Sequence, residues 1–251
     1  MKFRLVAHRG ESYDAPENTL ASVNLAWKRN ADAVEIDVHL SKDNRVVVIH
    51  DPNTKRTGGR NKKVVLQTLE ELKELDVGLW KNKQYKNERI PTLQEVLQTI
   101  PHEKSLVIEI KSDKKLIPFL KDDILSSNIS PKQIEIISFD YSTVIAAKRM
   151  LPEVKVLYLA NLDYSWFTKI TSPSVERLIQ KVKEENLDGL NVWAGKMLTQ
   201  LFTEKVKNSN LLLYVWTVNN PMLAKTLYSW GIDAVTTDCA YWMRREIFSD
   251  Q

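Results

Sequence analysis

The stretch AVEIDVHL, residues 33–40, carries the pattern on which the fold prediction rests. Its apolar residues predict a strand over Ala33–Val38, interrupted at a spacing of two by Glu35 and Asp37, with His39 on the same face. Residues two apart on a strand point to one face, whereas a parallel strand covered on both sides is normally a continuous apolar run. The stretch therefore predicts a buried parallel strand that directs acids to one side.

Similar short apolar runs recur along the chain and alternate with amphipathic segments. The predicted strands are Arg4–Ala7, Ala33–Val38, Ser105–Ile110, Gln133–Ser138, Lys155–Leu159, Gly189–Val192, Leu211–Thr217 and Ala234–Thr237. The predicted helices between them include Thr19–Asn30, Thr92–Thr99, Ser142–Met150, Ser174–Glu185, Met197–Asn208 and Pro221–Trp230. Parallel neighbours need crossover connections, so this alternation predicts an α/β protein with a parallel sheet. Eight units in 251 residues fit a closed (β/α)8 TIM barrel, with an open doubly wound sheet as the alternative.

The segment of about residues 40–90 breaks this alternation. It contains a turn signal at Asp43-Asn44, a strand-like run Arg45–Ile49, a Gly58-Gly59 loop and a helical pattern Leu69–Leu75. Because it is poor in apolar residues, we expect it to be a small insertion after the second strand without a core of its own. The prediction is a single domain, residues 1–251.

Composition and charge exclude several classes of protein from the prediction. The chain has 36 basic and 32 acidic residues without a basic patch interleaved with aromatics, so we expect no nucleic-acid partner. Cys239 is the single cysteine, which rules out an internal disulfide and a cysteine zinc cluster. Apolar runs are too short for a signal peptide or a membrane span. We therefore expect a cytoplasmic protein without stable membrane insertion, and its oligomeric state is open.

The acids of two strands predict a metal site. Active sites of α/β barrels lie at the carboxyl ends of the strands, where Glu35 and Asp37 are joined by Glu109 and Lys111 of the third predicted strand. Three converging carboxylates raise one another's pKa, and a divalent cation removes that conflict. Because every ligand is an oxygen, Mg²⁺ or Ca²⁺ is favoured over zinc. The alternative is that the acids form internal ion pairs with Arg9 and Lys111.

Histidines and basic residues extend this prediction to phosphate chemistry. His8-Arg9 follow the first strand, and His50 follows the run in the insertion. Two imidazoles near one site can give and take protons, and Arg9 with Lys111 can hold an anion. His39 is either a further ligand or structural. No glycine-rich nucleotide loop and no Gly-x-Ser-x-Gly motif is present. The set indicates metal-assisted attack on phosphorus.

Taken together, the motifs resemble the glycerophosphodiester phosphodiesterase family. They are AHRG (7–10), PENT (16–19), VEIDVHLSKD (34–43), VVIHD (47–51), IPTLQEVL (90–97), IEIK (108–111), VWTVN (215–219) and GIDAVTTD (231–238), in the family's order. The resemblance implies a (β/α)8 barrel that uses a divalent cation to hydrolyse glycerophosphodiesters, its small-molecule substrates, to glycerol 3-phosphate and an alcohol, in lipid and glycerol metabolism.

The resemblance also implies a role for each matching residue. The catalytic positions are His8 and His50, the metal ligands Glu35, Asp37 and Glu109, the phosphate-binding positions Arg9 and Lys111, and the pocket aromatic Trp216, with Phe139 as a further candidate. Gly10 would let the chain turn, and Asn18 or Thr19 would cap the next helix. The family's usual Asp-Gly turn is Asp43-Asn44 here, which we expect to leave the fold unchanged because asparagine tolerates positive φ.

The implied mechanism transfers protons through the two histidines. The substrate's 2-hydroxyl would attack phosphorus after His8 accepts its proton, His50 would protonate the departing alcohol, and water would open the cyclic phosphate. Lysophospholipase D activity is one alternative and would use an apolar rim from Leu79-Trp80, Tyr85 and DYSWF (163–167). The other is a phosphate-ligand binder without catalysis, which would need neither histidine.

Overall fold

Nine strands form one sheet in the computed structural model, which describes residues 3–162 and 174–248. The strands are β1 (Arg4–Ala7), β2 (Ala33–Leu40), β3 (Val46–Val48), β4 (Ser105–Ile110), β5 (Ile134–Ser138), β6 (Lys155–Ala160), β7 (Gly189–Trp193), β8 (Leu212–Trp216) and β9 (Ala234–Thr237). Their order is β1-β9-β8-β7-β6-β5-β4-β2-β3, and β1 also pairs with β2. That pairing closes eight parallel strands into a barrel. An open doubly wound sheet would leave both edges free, so the predicted (β/α)8 barrel is confirmed.

Helices follow the barrel strands. They are α1 (Leu20–Lys28), α2 (Lys55–Gly58), α3 (Leu69–Lys73), α4 (Leu93–Leu97), α5 (Ile117–Ser126), α6 (Tyr141–Met150), α7 (Val175–Glu184), α8 (Gln200–Asn208), α9 (Pro221–Ser229) and α10 (Ala240–Phe248). Short 3₁₀ turns lie at Val64–Leu66, Lys83–Tyr85, Lys114–Leu116 and Pro131–Gln133. Among the described residues, none of the helices has the length and apolar character needed to span a bilayer.

Threonine side chains determine where several helices begin. The hydroxyl of Thr19 accepts the backbone N–H of Ser22, and the Ser22 hydroxyl accepts the N–H of Thr19 in return. The same reciprocal cap forms between Thr92 and Glu95 at the start of α4. These bonds satisfy backbone donors that the first helical turn leaves free. Thr19, one of the two residues predicted to cap α1, is therefore its cap.

Alternation along β2 separates the barrel interior from the helix layer. Ala33 packs in the apolar cluster inside the barrel, whereas Val34 and Ile36 belong to the larger core between the sheet and the helices. Because side chains alternate, Glu35 and Asp37 share the inward face with Ala33. The pattern that interrupted the predicted strand therefore directs both acids into the barrel.

A buried ion cluster lies at the amino ends of the barrel strands. Glu135 of β5 is fully buried, and its Oε1 lies 2.7 Å from a guanidinium nitrogen of Arg4 and 3.5 Å from Nζ of Lys155. The Arg4 guanidinium also lies over the ring of Tyr214. These groups fill the end of the barrel opposite to the acids of β2.

The segment after β2 pairs with the barrel and also has apolar packing of its own. Strand β3 pairs antiparallel with residues 38–40, which explains why β2 continues to Leu40 rather than ending at Val38. Asn44 in the turn between them has a φ of 60°. This turn needs a positive φ, which asparagine tolerates at the position where glycine is usual. The expectation that this segment lacks a core was wrong. A separate buried cluster contains Val47, Ile49, Val64, Leu72, Leu75, Val77 and Ile90.

Candidate active site

Three carboxylates meet at the carboxyl ends of β2 and β4. Asp37 pairs in register with Glu109 on the adjacent strand, and Glu35 lies two residues before Asp37 on the same face. One ligand oxygen from each lies within 4.8 Å of the other two, and all three residues are buried. The predicted convergence of these acids is therefore present.

Two basic side chains contact this cluster. Lys111 Nζ lies 2.6 Å from a Glu109 oxygen and 3.2 Å from Asp37 Oδ1, while Arg9 Nε lies 3.2 Å from Asp37 Oδ2. Burial would raise the pKa of Asp37, but Lys111 and Arg9 hold that pKa below its ordinary value. The internal ion pairs considered as an alternative are thus present at Asp37 and Glu109 but do not extend to Glu35.

Among the described residues, Glu35 is the acid of the cluster without a lysine or arginine ion-pair partner. Its Oε2 accepts the backbone N–H of Arg9 at 2.9 Å, whereas its buried Oε1 has no hydrogen-bond partner among the described residues. Burial, and then the charge of Asp37, raise the pKa of Glu35 to about 8. Two cations face three acids, and Glu35 Oε1, Asp37 Oδ1 and Glu109 Oε1 are all buried without a hydrogen-bond partner among the described residues. This donor set fits a hard divalent cation, which takes oxygen ligands.

His8 is oriented from the strand that closes the barrel. Its Nδ1 lies 2.6 Å from Oδ1 of Asp238, which follows β9, and its Nε2 lies 4.0 Å from Glu35 Oε2. Burial alone would lower the pKa of His8, but the Asp238 hydrogen bond and the charge of Glu35 raise it. The same hydrogen bond, opposed by burial, lowers the pKa of Asp238 to about 2. A carboxylate only accepts, so Nδ1 carries the proton and Nε2 is free to accept one.

His50 lies at the same end of the barrel. The backbone N–H of Ile49 donates to the carbonyl of Asp37 at 2.9 Å, which fixes the chain beside the end of β2. His50 Nδ1 lies 2.7 Å from Oδ1 of Asp51, and Arg56 donates to both oxygens of that carboxylate. Burial lowers the pKa of His50. His50 is thus oriented by a carboxylate, as His8 is.

His39 also contacts this region. Its Nε2 lies 3.1 Å from the carbonyl oxygen of His50, and its Nδ1 lies 3.4 Å from the Ser112 hydroxyl. Both ring nitrogens are therefore engaged away from the three acids. Of the two roles left open for His39, the contacts favour the structural one.

The turn after β1 brings Arg9 into the cluster. Arg9 adopts a φ of 56° and the following Gly10 one of 83°, so the chain leaves the barrel abruptly, as predicted. The Arg9 guanidinium is held by Glu17 at 2.8 Å, which also binds Arg56. Asn18 adopts a φ of 57° and donates its amide to Asp37 Oδ2 at 2.7 Å. The PENT segment thus positions Arg9 and Asp37.

Trp216 lies beside the acids at the mouth of the barrel. It lines a small cavity of 20 Å³ together with His8, Glu35, Glu109 and Asn191. Its ring packs edge-on against Trp193 and against Phe139, with centroids 5.1 and 5.5 Å away. Phe139 is 45% exposed. Both aromatic candidates therefore lie at the same end of the barrel as the histidines.

The structure thus brings all of the predicted site residues to one end of the barrel. The chain matches the model of the glycerophosphoryl diester phosphodiesterase family over residues 8–240.

The chain belongs to this family.

As a member of the glycerophosphoryl diester phosphodiesterase family, the protein is a phosphoric diester hydrolase. Named relatives cover most of its length. It is 33% identical over 245 residues to a glycerophosphodiester phosphodiesterase of Caldanaerobacter subterraneus, with 95% of each chain covered. It is 31% identical over 252 residues to one from Bacillus subtilis, with 93% of this chain and 82% of that protein covered.

A solved structure of similar shape contains a bound product. It is an Oleispira antarctica phosphodiesterase in complex with sn-glycerol 3-phosphate, which superposes with a TM-score of 0.86 at 29% identity and covers 97% of this chain and 96% of that one. A Thermotoga maritima glycerophosphodiester phosphodiesterase gives 0.78 at 28% identity, covering 98% of both chains.

In this phosphodiesterase, sequence reasoning missed three positioning contacts. The motif that contains Asp238 does not indicate its hydrogen bond to His8, and the cap role predicted for Asn18 does not indicate its bond to Asp37. Arg56, which links Glu17 to Asp51, carried no sequence signal. The position of Asp238 is a signal that could have indicated it. Asp238 directly follows the last strand, and in a closed barrel the last strand is the neighbour of the first, which His8 follows.

The rim proposed for lipid substrates is only partly described. Leu79 and Trp80 are 48% and 43% exposed, but the Trp80 indole donates to the Val77 carbonyl and the Tyr85 hydroxyl to that of Asp14. Trp80 and Tyr85 are therefore held by hydrogen bonds within the loops, which indicates loop packing for these two side chains. The DYSWF segment, residues 163–167, lies outside the described residues.

Proposed function

We propose that the protein hydrolyses glycerophosphodiesters to glycerol 3-phosphate and an alcohol. The observation that supports this most directly is the convergence of two carboxylate-oriented histidines, His8 and His50, on the barrel end that holds the buried acids. A phosphate binder would have no need for imidazoles that carboxylates hold in one tautomer. The product bound to the Oleispira relative, sn-glycerol 3-phosphate, has the chemistry expected of the proposed product.

Glu35, Asp37 and Glu109 would hold the cation, either Mg²⁺ or Ca²⁺. The orphaned Glu35 oxygen and the close approach of three buried carboxylates support this choice of ligands. When bound, a divalent cation neutralises charge on the phosphoryl oxygens and on the attacking oxygen. Arg9 and Lys111, already at this cluster, would bind the remaining phosphate oxygens, and Trp216 would line the pocket for the glycerol part.

His8 and His50 would exchange the protons. Nε2 of His8 accepts the proton of the substrate's 2-hydroxyl as that oxygen bonds to phosphorus, and His50 gives a proton to the departing alcohol oxygen as its bond to phosphorus breaks. In the second half, His50 takes a proton from the water that opens the cyclic phosphate, and His8 returns its proton to the 2-hydroxyl.

Release of glycerol 3-phosphate from glycerophosphocholine tests the proposal. We expect the wild type to be active with Mg²⁺ or Ca²⁺, inactive after chelation, and reduced by about 10²–10⁴-fold in His8→Ala and in His50→Ala. His102→Ala, at an exposed position, is the control and should retain full activity. Near-normal turnover by either site variant would reject the scheme. Lysophosphatidylcholine as a parallel substrate distinguishes lysophospholipase D activity.

The leaving group distinguishes the roles of the two histidines. A p-nitrophenyl ester of glycerol phosphate releases a phenolate that needs no proton. With this substrate His50→Ala should regain most of its lost rate of p-nitrophenolate release, which reports the first half of the reaction, and His8→Ala should not, because only the base is required in that half. Recovery of His8→Ala instead would exchange the two assignments and leave the overall reaction intact.

A further inference from the structure

A larger cavity, of 390 Å³, lies outside the site described above. Its walls include Glu11, Tyr13, Asp14, Arg29, Tyr241 and Trp242. None of the residues assigned to the reaction lines it. It adjoins them through Asn219, which donates to Oδ2 of Asp238 at 2.6 Å, and through Tyr13, whose backbone N–H donates to the Asp238 carbonyl at 2.9 Å. Its volume lies in the range of about 300–1,000 Å³ that is typical of small-molecule sites.

Glu11 is a buried wall residue with an unpartnered oxygen. It is 1% exposed, and its Oε1 accepts the backbone N–H of Tyr241 at 3.2 Å and lies 3.7 Å from a guanidinium nitrogen of Arg29. Its Oε2 has no hydrogen-bond partner among the described residues. A buried carboxylate oxygen without a donor is unfavourable, so a ligand N–H would relieve a cost that the protein already bears.

The other walls suit a cation with an apolar part. Tyr13 and Trp242 are 70% and 45% exposed and offer unshielded aromatic surface. The Tyr241 ring is already taken by the Arg29 and Arg245 guanidiniums, 5.1 and 5.9 Å from its centroid, so the free aromatic surface is that of Tyr13 and Trp242. The carboxylates of Glu11 and Asp14 outnumber Arg29, which leaves the lining with one net negative charge. Both features favour an organic cation over an anion.

We propose that this cavity binds a small organic cation carrying an N–H donor, of the primary ammonium class. The ammonium group contacts the Glu11 carboxylate, and the carbon chain packs on Tyr13 and Trp242. This binding site is separate from the hydrolytic site and does not depend on the reaction proposed for it.

Titration with n-butylammonium chloride, followed by the indole N–H signals in NMR, tests the proposal. We expect a saturable shift of the Trp242 signal, at least about tenfold weaker affinity in Glu11→Gln, and unchanged affinity in Glu103→Gln at an exposed position. Neutral n-butanol and butyrate at matched ionic strength should bind at least about tenfold more weakly. Equal binding of n-butanol, or full affinity in Glu11→Gln, would overturn it.

A second variant keeps the test decisive if Glu11→Gln does not fold. Tyr13 is largely exposed, so Tyr13→Ala should leave the fold intact and still weaken n-butylammonium binding. Unchanged affinity in that variant would contradict the assignment. A response of Trp216 without one of Trp242 would place the probe at the acids of β2 and β4, and would also overturn the proposal.

Discussion

The imidazole of His8 and the carboxylate of Asp238, 230 residues apart in the sequence, are joined by a hydrogen bond of 2.6 Å. This contact exists because β1 and β9 are neighbours in the closed barrel. It fixes the tautomer of His8 and directs Nε2 toward the acid cluster, where Glu35 lies 4.0 Å away.

Replacing this carboxylate should impair the reaction without unfolding the protein. In Asp238→Asn the amide can donate to Nδ1, which favours the tautomer with its proton on Nε2, so kcat should fall by about 10²–10⁴-fold. Ser12→Ala removes only a 3.3 Å hydrogen bond to the same oxygen and is the matched control. Steady-state kinetics with circular dichroism would decide, and near-normal kcat in Asp238→Asn would show that His8 needs no such partner.

Asn18 should contribute to stability through Asp37. Its side chain donates to Asp37 Oδ2 at 2.7 Å and accepts the Asp37 N–H at 3.0 Å. Asn18→Ala leaves the buried Asp37 N–H unpaired and leaves Oδ2 with the Arg9 ion pair alone, whereas Asn44→Ala changes an exposed asparagine of similar φ, 60° against 57°. In urea unfolding, the free energy of unfolding should therefore fall by about 1–3 kcal/mol more in Asn18→Ala than in Asn44→Ala. Equal losses would mean that backbone conformation alone explains the residue.

Gly10 should tolerate no side chain. Its φ is 83°, and an added Cβ would lie 2.5 Å from the carbonyl carbon of Ser22. Gly59 has a φ of 72° but open space around that position, so Gly59→Ala isolates the backbone cost, about 1–2 kcal/mol. In urea unfolding, we expect the free energy of unfolding to fall by about 1–3 kcal/mol more in Gly10→Ala than in Gly59→Ala, because the close contact with Ser22 must be relieved. Similar losses in both variants would contradict the steric argument.

The contact of Arg56 with Asp51 should make stability depend on pH in acid. Hydrogen bonds from Arg56, and then from His50, lower the pKa of Asp51 from 3.8 to about 2. A carboxyl with a lowered pKa stabilises the fold above its unfolded pKa, and this contribution is lost as pH falls through the folded pKa. Glu17, whose pKa is also lowered despite its burial, acts in the same direction.

The difference in unfolding free energy between wild type and Arg56→Ala should therefore be constant above about pH 5 and shrink between about pH 4 and 2. Because Arg56 is partly exposed, it should not exceed about 1 kcal/mol at neutral pH. Urea titrations at several pH values measure it, with Lys55→Ala on the same helix as the control. A difference that grows in acid would have the wrong sign for this contact.

Local sequence determined the barrel and the position of its acids. Strand periodicity is set by the backbone of each residue, so Glu35 and Asp37 had to share a face wherever the strand was placed, and parallel strands had to bring Glu109 to the same end. Helix starts were equally local, because a cap such as Thr19 bonds within three residues. The turn at Asn44 also followed from local chemistry, since asparagine tolerates a positive φ.

The apolar cluster of the insertion was decided by tertiary structure. Apolar residues spread from Val47 to Ile90 form one buried cluster, which a count along the chain does not reveal. The extra length of β2 likewise depends on pairing with β3.

Tertiary structure also decided how the reactive groups are held. Asp238 reaches His8 because the barrel closes. Asn18 holds Asp37 because the chain turns sharply after β1. The distance along the sequence carries no information about either contact. The sequence by itself therefore determined which side chains face the barrel mouth, because alternation is a property of each strand. Only the closed barrel decided which of them touch, because hydrogen bonds depend on distance in space.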